Sequence, residues 1–77
     1  MDFGQRLKIM RLACGLTQGD VAAILGDGTD RMILSRIESG RLLPSEDLER
    51  KLRVALAWGA EQDAALDVLA AEPEVTA

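Results

Sequence analysis

The chain has 77 residues, enough for one small domain, with 48% hydrophobic and 3% aromatic residues, one cysteine, no histidine and a formal net charge of −4. These values exclude an internal disulfide and, on ligand count, a structural zinc site; no metal or cofactor is expected. No apolar run approaches the ~20 residues that span a bilayer, and the N-terminus lacks the basic-then-apolar layout of a signal peptide, so a cytoplasmic protein with a reduced thiol is expected.

Asp2 followed by Gln5 has capping-box spacing and starts a first helix near Phe3. Leu7, Met10, Arg11 and Cys14 recur on one side of it, which predicts Cys14 as a small core hydrophobe, and Gly15 is the stop. Thr17 caps a second helix from about Gln18 to Leu25, with Asp20 at the reciprocal position, Val21, Ala22 and Leu25 inward, and Gly26 at its end. Asp27-Gly28-Thr29-Asp30 has turn composition. Asp30 caps a third helix running to about Ser39, with Leu34 and Ile37 inward. At ~100° per residue its opposite side carries Met32, Ser35, Arg36 and Ser39, flanked by Arg31 and Ile33, and Gly40 is the stop.

Pro44-Ser45 opens a fourth helix with Ser45 as its cap and Glu46 and Asp47 in the first turn, where the helix dipole favours anions. Leu48, Leu52, Ala55 and Leu56 form its core stripe, and Val54 and Trp58 a narrower apolar edge. Gly59 interrupts. A fifth helix, roughly Glu61 to Ala71, presents Ala65, Val68 and Leu69 on one face; Pro73 ends it and 72–77 read as a frayed tail. The expected fold class is all-α: a single domain over 1–77, a compact bundle of five short helices with its core in 3–58 and an acidic helix at about 61–71. A chain this short depends on good helix packing or on a partner subunit.

All nine Lys and Arg lie between Arg6 and Arg53, and the part before Trp58 sums to about +1. The other five acids (Glu61, Asp63, Asp67, Glu72 and Glu74) follow Trp58 with no base among them. Such asymmetry suggests a body that faces a polyanion and an acidic end turned away from it. Enzyme chemistry finds no support. There is no histidine base, and Gly26-Asp27-Gly28 lacks the lysine and hydroxyl that follow in a phosphate-cradling loop. The acids sit at helix starts and on solvent faces.

Two capped helices joined by a short connection, Gly15-Leu16-Thr17-Gln18 through Ser35-Arg36-Ile37-Glu38-Ser39-Gly40, have the helix-turn-helix layout that places a helix in the DNA major groove. With Val21-Ala22, Leu25-Gly26 and Pro44, these residues resemble the Cro/phage-repressor group (lambda repressor-like, XRE-type) over about Phe3 to Trp58. The resemblance implies four or five helices, the third of them the recognition helix, and a homodimer on double-stranded DNA with a palindromic operator. It implies phosphate contact for Thr17 and Gln18, base reading for Met32 and Arg36, and a backbone contact for Arg41. Arg31 falls at the first residue of the recognition helix, and Arg11 and Glu38 at a buried ion pair between helices 1 and 3. The connection Gly26 to Leu34 departs from the family pattern by about two extra residues, around Asp27 and Gly28.

Each residue has a plainer reading. Arg36 can bond the O6 and N7 of guanine or be a solvated arginine, with Ser35 beside it on the same exposed side. Met32 can meet a thymine methyl or pack on the turn. Arg31 and Arg41 can neutralise phosphates or stand in solvent. Thr17 is a helix cap first, and Gln18 can present its amide to phosphate at that N-terminus. Arg11 and Glu38 are a buried pair or two solvated charges. Val54 and Trp58 hold the fifth helix down or, with Val68 and Leu69, form a dimer interface. The expected function is a sequence-specific transcriptional regulator, in its simplest mode a dimeric repressor. The alternative is a protein-interaction module on the same scaffold, an anti-activator or antitoxin-like partner of another regulator, motivated by the acidic tail and the altered turn.

Overall fold

Residues 1–71 are described by a computed structural model, and form five helices and no strand. The helices are α1 (Phe3–Ala13), α2 (Gln18–Leu25), α3 (Arg31–Glu38), α4 (Glu46–Ala55) and α5 (Ala60–Ala71). The expected stop at Pro73 and the frayed tail at 72–77 lie outside the described residues.

Short-range hydrogen bonds set the helix starts. Asp2 Oδ1 accepts from the Gln5 N–H at 2.9 Å and Gln5 Oε1 from the Asp2 N–H at 3.1 Å. Thr17 and Asp20 repeat the reciprocal pair at the start of α2, at 3.0 and 2.9 Å. The Thr17 backbone N–H first, and then the Thr17 hydroxyl, hold the Asp20 carboxyl below the usual carboxylate range. Asp30 and Ser45 cap α3 and α4 through the Ile33 and Leu48 N–H groups. Each such cap is worth about 1 kcal/mol.

The packed interior combines Leu7 and Met10 of α1, Val21 and Ala22 of α2, Leu34 and Ile37 of α3, and Leu52, Leu56, Trp58 and Leu66 from the C-terminal part. α3 lies against both α1 and α2, and α2 also touches α4. The α1–α3 crossing is close enough to require glycine: a Cβ built on Gly4 would sit 2.1 Å from the Ile37 carbonyl oxygen.

One expectation fails at a helix end. Cys14 is exposed, not core: α1 ends at Ala13, Cys14 is its cap, and the thiol meets the Leu56 carbonyl oxygen at 3.7 Å. The helical stripe that predicted burial stops one residue too soon to carry it inward. Of the two readings of Trp58, the structure fits the one in which it holds the fifth helix down: the indole belongs to the core at 2% exposure and bonds Asp63 of α5, whereas Val54 is exposed. After α4 the Ala57 and Trp58 N–H groups bond back to Val54 and Arg53, a helix-ending motif that needs a left-handed residue, and Ala57 supplies it at φ 52°. The chain reverses there and inserts the indole, stacked on Phe3 with ring centroids 5.1 Å apart. α5 then docks through buried Leu66, whereas Ala65, Val68 and Leu69 face outward.

Candidate nucleic-acid interface

The candidate surface is built on α3. Burying Leu34 and Ile37 leaves the opposite side of a two-turn helix in solvent, so Met32 (58% exposed), Ser35 and Arg36 stand on it, with Ser39 at its C-terminal cap. The Ser39 hydroxyl turns back to the Arg36 carbonyl at 3.1 Å. Gly40 ends the helix at φ 81°, and the Arg41 N–H returns to the Arg36 carbonyl at 2.9 Å, so exposed Arg41 follows directly from the exposed side of α3.

Beneath this surface runs a buried polar network. Arg11 donates from Nε to Glu38 at 2.7 Å, from Nη2 to the other carboxylate oxygen at 3.0 Å, and from Nη1 to the Leu16 carbonyl at 2.8 Å. The Arg11 and Glu38 side chains are 9% and 5% exposed. The bidentate contact is the favourable form for such a pair, and the Glu38 hydrogen bond raises the arginine pKa further above its ordinary value. Gln18 joins from α2 by donating its amide to Glu38 at 3.1 Å. Glu38 thus ties α1, α2 and α3 together. The Gln18 amide is engaged in this network instead of standing free at the α2 N-terminus, where Thr17 sits as the cap.

The lengthened connection has a defined shape. Gly26, Asp27 and Gly28 take φ values of 62°, 52° and 79°, and the Thr29 N–H closes on the Gly26 carbonyl at 2.9 Å. Two of these three left-handed positions are glycine, which carries no steric penalty there. Lys51 of α4 bonds Asp27 at 2.9 Å and Asp47 at 3.3 Å. Lys51 lowers the Asp27 carboxyl pKa, and Asp27 first and then Asp47 raise that of the Lys51 ammonium. Arg31, just past this turn, shares a shallow depression with Arg11, Thr17, Gln18 and Gly19.

The acids of α5 are not idle. Asp63 accepts from the Trp58 indole N–H at 2.8 Å and from Arg53 at 3.0 Å, and approaches Arg6 at 3.7 Å; Asp67 also holds Arg6. The Trp58 bond and the two arginines keep the Asp63 carboxyl below the usual range. Arg53 also lies over the Trp58 ring, 4.6 Å from its centroid. The cations therefore divide. Arg6, Arg11, Arg50, Lys51 and Arg53 have carboxylate partners within 4.0 Å. Lys8, Arg31, Arg36 and Arg41 have none among the described residues. Apart from Arg11 with Glu38, the pair that the family resemblance implied, sequence reading could not make that division, since every other pair but the Asp47 and Glu49 contacts joins distant parts of the chain.

The candidate dimer residues separate. Val54 is exposed in a groove with Ile24, Leu25 and Ala55, and Val68 and Leu69 are exposed on α5. Trp58 is interior and holds α5 down through Asp63. No group of His, Cys, Asp and Glu among the described residues has the arrangement to hold a metal ion.

A protein-family model described as "Helix-turn-helix domain" matches residues 2–76. Neither a curated protein nor a solved structure gave a match.

Proposed function

The chain belongs to the helix-turn-helix domain family, and on that premise we propose that it is a sequence-specific DNA-binding regulator of the Cro/phage-repressor type, working in the cytoplasm as a dimeric repressor. The observation that carries this reading is the exposed side of α3: Met32, Ser35 and Arg36 face outward from a helix anchored by Leu34 and Ile37, and the cations around it are not neutralised by the protein itself. In the major groove Arg36 reads guanine, Met32 meets a thymine methyl and Ser35 lies between them. Arg31 and Arg41 neutralise phosphates at the two ends of α3. Thr17 positions the α2 N-terminus against the backbone. Arg11 and Glu38 orient α3 without touching DNA. The net charge of −4 is unevenly spread: Arg31, Arg36 and Arg41, on and beside α3, have no carboxylate partner among the described residues.

A two-fold dimer sets half-sites about 34 Å apart on a palindromic operator. Val54, Val68 and Leu69, three of the exposed large apolar residues, are the ones assigned to the dimer contact.

The test is a mobility shift with DNA upstream of the protein's own gene at two salt concentrations. Specific binding that weakens steeply with salt supports the regulator. No binding at micromolar protein overturns it and leaves the interaction module. On the operator, Arg36→Ala should relax preference at one base position, and Arg41→Ala should weaken all sequences about equally. The reverse pattern would undo the role assignment.

A further inference from the structure

We infer that Lys8 of α1 is a further phosphate-contacting residue of the DNA face, outside the helix-turn-helix unit itself; the inference rests on the DNA-binding reading above. Two independent observations lead to it. The first is charge: Lys8 is exposed and is the one cation without a carboxylate partner among the described residues that the helix-turn-helix pattern does not account for. The second is place: Lys8 lines one depression with Arg11, Gln18, Ser35, Glu38 and Ser39, so it stands beside the exposed side of α3.

The geometry of α1 explains how it arrives there. Residues three apart share a helix side, so Lys8 lies one turn before Arg11 on the side that meets α3. That turn leads to Gly4, whose backbone rests against Ile37. The carboxylate that lines the same depression, Glu38, is already occupied by Arg11 and Gln18, and so it does not fold the ammonium back onto the protein. Arg31 sits in the neighbouring depression, which shares Arg11 and Gln18 with the first. Lys8 and Arg31 therefore flank the buried network on opposite sides, one towards each end of α3. A duplex seated on α3 presents a backbone along each side of the groove, and a flexible ammonium on a four-carbon stem suits a phosphate as a point charge. Lys8 is not on the recognition helix, so it contributes affinity without base preference.

The experiment compares the full chain with Lys8→Gln and Lys8→Arg. Affinity for the operator duplex and for a scrambled duplex is measured across a salt series, and each variant's melting temperature is recorded. Lys8→Gln should bind both duplexes several-fold more weakly and lower the slope of log K against log salt by about one unit. Base preference and melting temperature should stay at the parent's values, and Lys8→Arg should keep the parent's slope. An unchanged slope, or a loss confined to the operator, overturns the inference while leaving the DNA-binding reading intact. A parent protein that binds neither duplex removes the reading and the inference together.

Discussion

The two ends of α3 are held by opposite means. At the C-terminal end, the Gly4 backbone presses on Ile37, Leu34 and Ile37 are sealed in the core, and Glu38 is locked to Arg11 and Gln18 out of water. At the N-terminal end, the attachments are the Asp30 cap and a solvent-exposed brace in which Lys51 reaches Asp27 and Asp47. Both ends carry ion pairs, yet the same chemistry acts differently in the two places. A buried pair that loses one partner strands a charge away from water, whereas an exposed pair is screened and contributes little. The presentation of Arg36 and Arg41 is therefore a property of the core. The presentation of Arg31 and Met32 depends on contacts that water and salt can loosen.

The largest effect should come from the buried end. Glu38→Ala leaves the Arg11 guanidinium buried without its carboxylate, and unfolding in urea should show a loss of about 3–5 kcal/mol. A change near zero would make the two ends equivalent and break the comparison. Next comes Gly4→Ala. On an exposed helix this substitution stabilises, but here the added methyl meets a carbonyl oxygen of α3, and the expected result is a loss of about 1–3 kcal/mol with α3 displaced. A gain in stability would show that the crossing gives way easily.

The exposed end should respond more weakly and more locally. Lys51→Ala should leave the melting temperature almost unchanged but speed amide exchange from Gly28 to Met32, with Ile37 to Gly40 unaffected. Acid should act in the same direction. The Asp27 carboxyl pKa is depressed in the folded protein, so its contribution is present at neutral pH. That contribution is lost as pH falls below the ordinary aspartate value of about 3.9 and through the folded one. The smallest effect should be that of salt. Raising ionic strength from about 0.1 to 1 M shortens the screening length from about 10 to 3 Å. Exchange should then rise at the turn alone, and an equal rise at Glu38 would contradict the separation.

Much of the architecture was legible beforehand. The bounds of α2, the caps at Asp2, Thr17, Asp30 and Ser45, and the inward pair Leu34 and Ile37 all follow from residues three or four apart, the range over which a cap or a helical stripe acts. What was missed involves tertiary approach. The point at which the chain reverses to insert Trp58 is not legible in the sequence, because that turn uses Ala57 in a left-handed conformation, where sequence patterns look for glycine. Leu66, not Ala65, Val68 or Leu69, is the buried residue of α5, and Asp63 on the same helix meets the indole N–H.

The order of amino acids by itself determined five helices, the caps that start the first four, and a third helix with a polar outer side, because these depend on backbone hydrogen bonds and side-chain periodicity within a few residues. Only the tertiary structure decided which cations are neutralised and which remain open. An ion pair such as Arg6 with Asp67 or Lys51 with Asp27 forms between segments that packing alone brings together. The charges left over define the surface offered to a phosphate backbone.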